Sequence, residues 1–290
     1  MKRVETFGKI LGVLFCLLFL ILPESLEWIS YGFFGIILLL VGIPHGAIDH
    51  LTSDPFISKS GLIRFIAFYL LLIALYLICW FFFPLVALIS FIVMSAYHFG
   101  QTHFLGVRVP KTADIILFLS RGSFFLALIL LGNLDETATI LKDIVDIQLS
   151  DKISIAIIAI IFFCTVAIQL YLLKGLRKKD VFELILLGGL LYYSPLLVGF
   201  ITYFGFWHAL PSMIEEYAYL KKIPQFSTFK KFFIQLLPFT VISLIGISLI
   251  LMIGQLYLET SQLIMIFFIM ISLISFPHII YMDRFLRKSA

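Results

Sequence analysis

An all-α, polytopic membrane fold is predicted by three observations. Hydrophobic residues make up 62% of the chain and charged residues 13%, whereas a soluble domain carries about 45–50% and about 25%. The mean hydropathy is +1.12. Apolar runs that approach the roughly 17–25 residues of a membrane span recur along the whole length, and they bound the count at eight to ten helices with ten as the best fit. Residues 1–290 read as one integral-membrane helical domain, with no soluble module and no internal repeat.

The runs fall at 8–23, 29–48, 62–83, 85–104, 113–132, 152–173, 181–197, 198–218, 232–254 and 261–282. The first follows Met1-Lys2-Arg3, as a leader would, but Pro23-Glu24-Ser25-Leu26-Glu27 offers no small-x-small cleavage site, so it reads as a retained helix. The seventh and eighth are one long apolar stretch divided at Ser194-Pro195. Loop charges support that division. Lys2, Arg3 and Lys9, then Lys59 and Arg64, then Arg108 and Lys111, then Lys174 to Lys179, then Lys221 to Lys231, then Arg284 to Lys288 alternate with acidic or neutral connections. Lys and Arg collect on the cytoplasmic side, which predicts cytoplasmic termini and a multi-pass protein of the cell membrane. The outer connection 133–151 is long enough for a short amphipathic helix.

Composition also excludes. The net charge is +4 and no basic patch carries interleaved aromatics, so nucleic acid is no partner. Cys16, Cys79 and Cys164 lie far apart inside apolar runs, without the spacing of a disulfide framework or a thiolate metal site.

The chemistry lies in the six histidines. They stand in Pro44-His45-Gly46-Ala47-Ile48-Asp49-His50, Tyr97-His98-Phe99-Gly100-Gln101-Thr102-His103, Phe206-Trp207-His208 and Pro277-His278. All fall on even-numbered predicted spans, in the half nearest the cytoplasm. An imidazole at membrane depth is expensive unless paired, wetted or bound to a metal. Any one of them alone reads as a hydrogen-bonded packing residue, but the shared depth of all six points to one metal site. Residues four apart share a helical face and residues five apart do not. His45 and His50 therefore do not both ligate one ion, nor do His98 and His103. One histidine from each of four helices gives His45, His98, His208 and His278, with Asp49 placed to accept from a ligand imidazole. Four neutral donors leave open positions on an octahedral ion, which suits dioxygen and an electron-rich substrate. Pro44, Gly46, Gly100 and Pro277 either open backbone room for the site or only punctuate helix ends. Arg121, mid-span, requires a buried partner, for which Asp49 and Glu216 are candidates. Glu215 and Glu216 read as interfacial.

Gly42-Ile43-Pro44-His45-Gly46-Ala47-Ile48-Asp49-His50, then Tyr97-His98-Phe99-Gly100, then Trp207-His208 resemble the Brp/Blh family of bacterial and archaeal membrane proteins. The resemblance implies a β-carotene 15,15′-dioxygenase, with Fe(2+) held by His45, His98 and His208, β-carotene and O2 as substrates, retinal as product, and a functional link to a retinal-binding rhodopsin. Where the family often has a further histidine, this chain has Ser212. His278 is the replacement fourth ligand on grounds of depth, with His103 as its alternative and His50 as a neighbour. The alternative function is a histidine-lined transporter or channel for a metal ion or proton. That reading predicts polar residues at several depths, and here they cluster on one side.

Overall fold

The computed structural model describes residues 2–21, 27–107 and 113–289. The charges at Glu24, Arg108 and Lys111 and the residues 23–26 lie outside them. In chain order the helices are α1 Lys2–Ile21, α2 Glu27–Ile37, α3 Asp49–Ser53, α4 Lys59–Phe82, α5 Pro84–His103, α6 Asp114–Gly132, α7 Leu134–Leu141, α8 Asp151–Leu173, α9 Lys178–Phe182, α10 Gly188–Tyr193, α11 Leu196–Thr202, α12 Leu210–Leu220, α13 Phe229–Gly254 and α14 Thr260–Ser289. No strand occurs among the described residues. Nine helical stretches there are long and apolar enough to cross a membrane. The amphipathic helix expected in the outer connection is α7.

The expected span at 181–197 is the one that differs. Residues 178–193 form a rod of three pieces, α9, a π-helical turn Glu183–Leu187 and α10, ended by extended backbone at Ser194 before Pro195. Sixteen residues at 1.5 Å each reach about 24 Å, short of the roughly 30 Å hydrocarbon layer. Proline has no N–H to donate and forces the preceding residue out of helical geometry, so the rod stops there.

The fold comprises two compact units. The first contains residues 1–38, 95–142 and 146–211. In it α6 packs along α8, α10 lies on α6, and α11 on α2 and α1. α5 and α6 meet backbone to backbone. A Cβ at Gly100 would overlap the Phe118 carbonyl, and one at Gly122 would overlap the Ala96 carbonyl. Only glycine allows helices to approach so closely, and His98 lies between the two contacts.

The second unit contains residues 39–94, 143–145 and 212–290. α14 packs on α4 and α3, and α13 packs on α14 and on the 3-10 turn Pro44–Gly46. Ala47, Ile48, Leu51, Leu220, Phe226, Phe232 and Leu236 form its buried cluster. The Trp80 indole donates to Ser272 Oγ at 2.9 Å and Tyr76 to the Ala87 carbonyl at 2.8 Å, so polar atoms between these apolar helices are bonded. The Phe81-Phe82-Phe83 run is exposed, as lipid-facing aromatics would be.

Candidate metal centre

Two of the histidine motifs leave regular α-helix. His45 is in the 3-10 turn Pro44–Gly46, which follows a π turn over Leu38–Gly42. His208 is in a π-helical segment, Tyr203–Ala209. π segments carry an extra residue per turn and recur at functional sites, where they re-aim side chains. His98 lies in regular helix on α5. All six histidines are buried.

In the first unit, His98 and His208 meet edge to face, with ring centroids 4.4 Å apart at 71°. Phe99 and Phe204 pack on His208 at 4.5 and 5.8 Å. His98 Nδ1 lies 3.1 Å from Gln101 Oε1. A carbonyl oxygen only accepts, so Nδ1 carries the proton and Nε2 is the ring's acceptor nitrogen.

The second unit repeats this arrangement twice. His45 Nδ1 donates to the Gly42 carbonyl. His278 Nδ1 donates to both carboxylate oxygens of Asp49, at 2.9 and 3.0 Å. Tyr69 donates to Asp49 Oδ2 at 3.2 Å and stands as close to the Ile274 carbonyl. The rings of His45 and His278 are 4.7 Å apart at 83°. Gly46 borders the His278 imidazole, whose Nδ1 would be 3.4 Å from a Cβ there.

The donor chemistry fits a metal. His45, His98 and His278 each tie Nδ1 to an acceptor and present the Nε2 lone pair, the state that metal-ligating histidines adopt. The other candidates divide differently. His103 uses both nitrogens within its own unit, Nδ1 to Glu183 Oε2 at 2.8 Å and Nε2 to the Tyr203 hydroxyl at 3.0 Å. His50 packs at a tilt against Phe65 and Phe239. Ser212 is wholly buried, and its hydroxyl has no hydrogen-bond partner among the described residues.

The partner of Arg121 is neither Asp49 nor Glu216. Its guanidinium donates to Glu183 Oε2 at 3.0 Å and lies 3.9 Å from Asp180 Oδ1. Glu183 also accepts from His103, from the Trp207 indole at 3.2 Å and from Lys9 at 3.5 Å. Four donors on one carboxylate offset the cost of burying it. Glu216 is fully buried rather than interfacial, because its helix turns that face inward, while Glu215, one residue earlier, is exposed. Asp180 lies at the head of the rod. Burial pushes its carboxyl up, but the hydrogen bonds and charge of Arg177, with the charge of Arg121, outweigh burial and hold it below its ordinary value.

Sequence reasoning missed Glu183, Gln101 and Tyr69. An acidic residue inside an apolar run was the available signal for Glu183. Gln101 and Tyr69 carried none beyond being polar, because their partners are set by packing.

The fold defines a multi-pass helical membrane protein whose apolar interior carries buried imidazoles, side chains of the metal-ligand type. A family model described as beta-carotene 15,15'-dioxygenase matches residues 36–285, and the chain belongs to that family. A relative named beta-carotene 15,15'-dioxygenase, from uncultured marine bacterium 66A03, is 28% identical over 262 residues, covering 87% of this chain and 92% of the relative. No solved structure matches.

Proposed function

We propose that the protein cleaves the central 15,15′ double bond of β-carotene with O2 to give two molecules of all-trans-retinal. Both oxygen atoms end as the two aldehyde carbonyls. The observation that carries this reading is the set of tautomer-fixed, buried histidines in a chain of this family. His45, His98 and His208 are the proposed ligands of one metal ion. Fe(II) is the proposed ion, and His278 is the proposed fourth donor, oriented by Asp49. When bound, the iron supplies the centre at which dioxygen is activated.

This chain's own residues do the rest. β-Carotene has no heteroatom, so only shape and apolar contact can hold it. Phe99 and Phe204 against His208 provide such contact beside the ligand. The Nδ1 hydrogen bonds to Gly42, Gln101 and Asp49 hold three imidazoles in one tautomer and orientation, which positions the polyene's centre relative to fixed groups. Burial of every histidine excludes water from the reacting bond. His103 stands outside the ligand set, because Glu183 and Tyr203 use both of its nitrogens. The product retinal suits supply to a retinal-binding rhodopsin, and entry of substrate from lipid is the natural route for so apolar a molecule.

Expression in cells that accumulate β-carotene tests this reading. Pigment loss with retinal formation is expected. His→Ala at 45, 98, 208 or 278 should abolish it and lower bound iron. Unchanged pigment alongside correctly inserted protein would overturn the reading. Full activity in His278→Ala would remove only the fourth donor.

A further inference from the structure

Helix α1 lies outside residues 36–285, the part of the chain that the family model matches. Its buried residues are Gly8, Gly12 and Cys16, spaced by four and so on one face. That face is seated on the segment that carries His208. A Cβ at Gly12 would lie 2.7 Å from the Phe206 ring and 3.2 Å from both Thr202 and Trp207. A Cβ at Gly8 would overlap Leu210 and lie 3.2 Å from Phe206. Cys16 Sγ reaches Thr202 Oγ1 at 3.6 Å. Around the π segment, Gly8, Gly12 and Cys16 meet residues 202, 206, 207 and 210, whereas His208 packs on His98, Phe99 and Phe204. α1 covers one side of the π segment and the imidazole leaves from another.

Lys9 adds a polar contact to the steric one. Its ammonium pairs with Glu5 at 2.8 Å and Glu183 at 3.5 Å, and lies over the Trp207 ring at 5.7 Å. Trp207 is held at two points. Its indole donates to Glu183 Oε1 at 3.2 Å, and its carbonyl accepts from Thr102 at 3.0 Å. The next residue in the chain is His208. A π turn has an extra residue whose backbone must be satisfied, and its rotation sets where the following side chain points.

We propose that α1 is a positioning element for His208, with Gly8 and Gly12 seating it on the segment Tyr203–Ala209 and Lys9 steadying the Glu183–Trp207 bond that sets the segment's rotation. The inference rests on His208 being a metal ligand. If Lys9 and Glu183 merely neutralised one another's buried charge, their loss would affect folding and leave the metal's surroundings unchanged, so the metal's spectrum separates the two roles.

The test uses the full chain in detergent micelles. It compares Lys9→Met, Lys9→Arg and Gly12→Leu for Fe(II) affinity, for the visible absorption of the Co(II)-loaded protein, for kcat and KM, and for amide exchange over residues 203–211. Lys9→Met should weaken metal binding by up to about tenfold, the lower end of the cost of losing a partner bonded directly to a ligand, because Lys9 acts on His208 through Glu183 and Trp207. It should also shift the Co(II) bands and lower kcat with KM unchanged, and Lys9→Arg should restore all three. Gly12→Leu should do the same and speed exchange across 203–211. Wild-type spectrum, affinity and exchange in both Lys9→Met and Gly12→Leu would overturn the proposal. If Gly12→Leu does not fold, Lys9→Met decides alone, because it adds no bulk against the segment. If the wild-type protein takes up neither ion, the metal reading fails, and exchange over 203–211 still decides whether α1 holds that segment.

Discussion

Replacing Gly100 by alanine should disable the protein although it adds one methyl group. The new Cβ would lie 2.6 Å from the Phe118 carbonyl carbon and 2.9 Å from its Cα. Ordinary contact begins at 3.4 Å, so α5 and α6 must part by at least about 0.8 Å, and by more to clear the carbonyl oxygen, which is nearer still. The opposing atoms are backbone and cannot rotate away as a side chain would. Overpacking of this kind costs about 1–3 kcal/mol. The functional cost should be larger than the stability cost. His98 is two residues from Gly100, and a catalytic constellation tolerates only about 0.5 Å of displacement. A misplacement near 1 Å costs on the order of a hundredfold in rate. Thermal unfolding in detergent, followed by the tryptophan signal, reads the first quantity, and retinal formation per bound iron reads the second. Gly122→Ala, which drives a methyl group into the Ala96 carbonyl at the same crossing, should behave alike. Wild-type melting and wild-type turnover in Gly100→Ala would refute the backbone-contact argument.

Asp49→Asn should keep the fold and weaken metal binding by about ten- to a hundredfold, because an amide orients His278 less firmly than the carboxylate now at 2.9 Å, and metal titration measures it. Arg121→Met should be among the most destabilising substitutions, by about 3–5 kcal/mol, because it leaves Glu183 buried without the guanidinium that donates to it at 3.0 Å. Denaturant or thermal unfolding checks it, and Arg121→Lys should recover only part. Acid should loosen the head of the rod. Asp180 is held below its ordinary value, so its contribution is fully present above the unfolded value of about 3.9 and is lost as pH falls through the lower folded value. Asp180→Asn should remove that dependence, read as a flatter acid limb of the melting curve with pH.

Hydropathy alone located the spans well, because lipid exposure demands long apolar helices whatever their neighbours do. It divided the long stretch at Pro195 at the right residue, since proline's missing donor is a local property. It did not foresee that 178–193 is a short rod interrupted by a π turn, because a π turn follows from how Glu183 and its partners pack. The ligand candidates were legible for a similar reason. Histidines are costly inside lipid, so their presence in short motifs with Pro and Gly is itself a signal. Helical spacing also paired His45 with Asp49, which share the second unit, although the imidazole that Asp49 receives is that of His278, 229 residues away.

By itself, then, the sequence determined the class of fold, the histidines worth testing and the family, because each depends on composition or on contiguous motifs. Only the tertiary structure decided the partners. It tied His103 to Glu183 and Tyr203, gave Arg121 to Glu183 and Asp180, turned Glu216 inward, and set α1 against the segment that bears His208. Hydrogen bonds between residues tens to hundreds of positions apart form only when helices cross at one place and rotation. That crossing is set by glycine contacts and packed side chains, which no local pattern encodes.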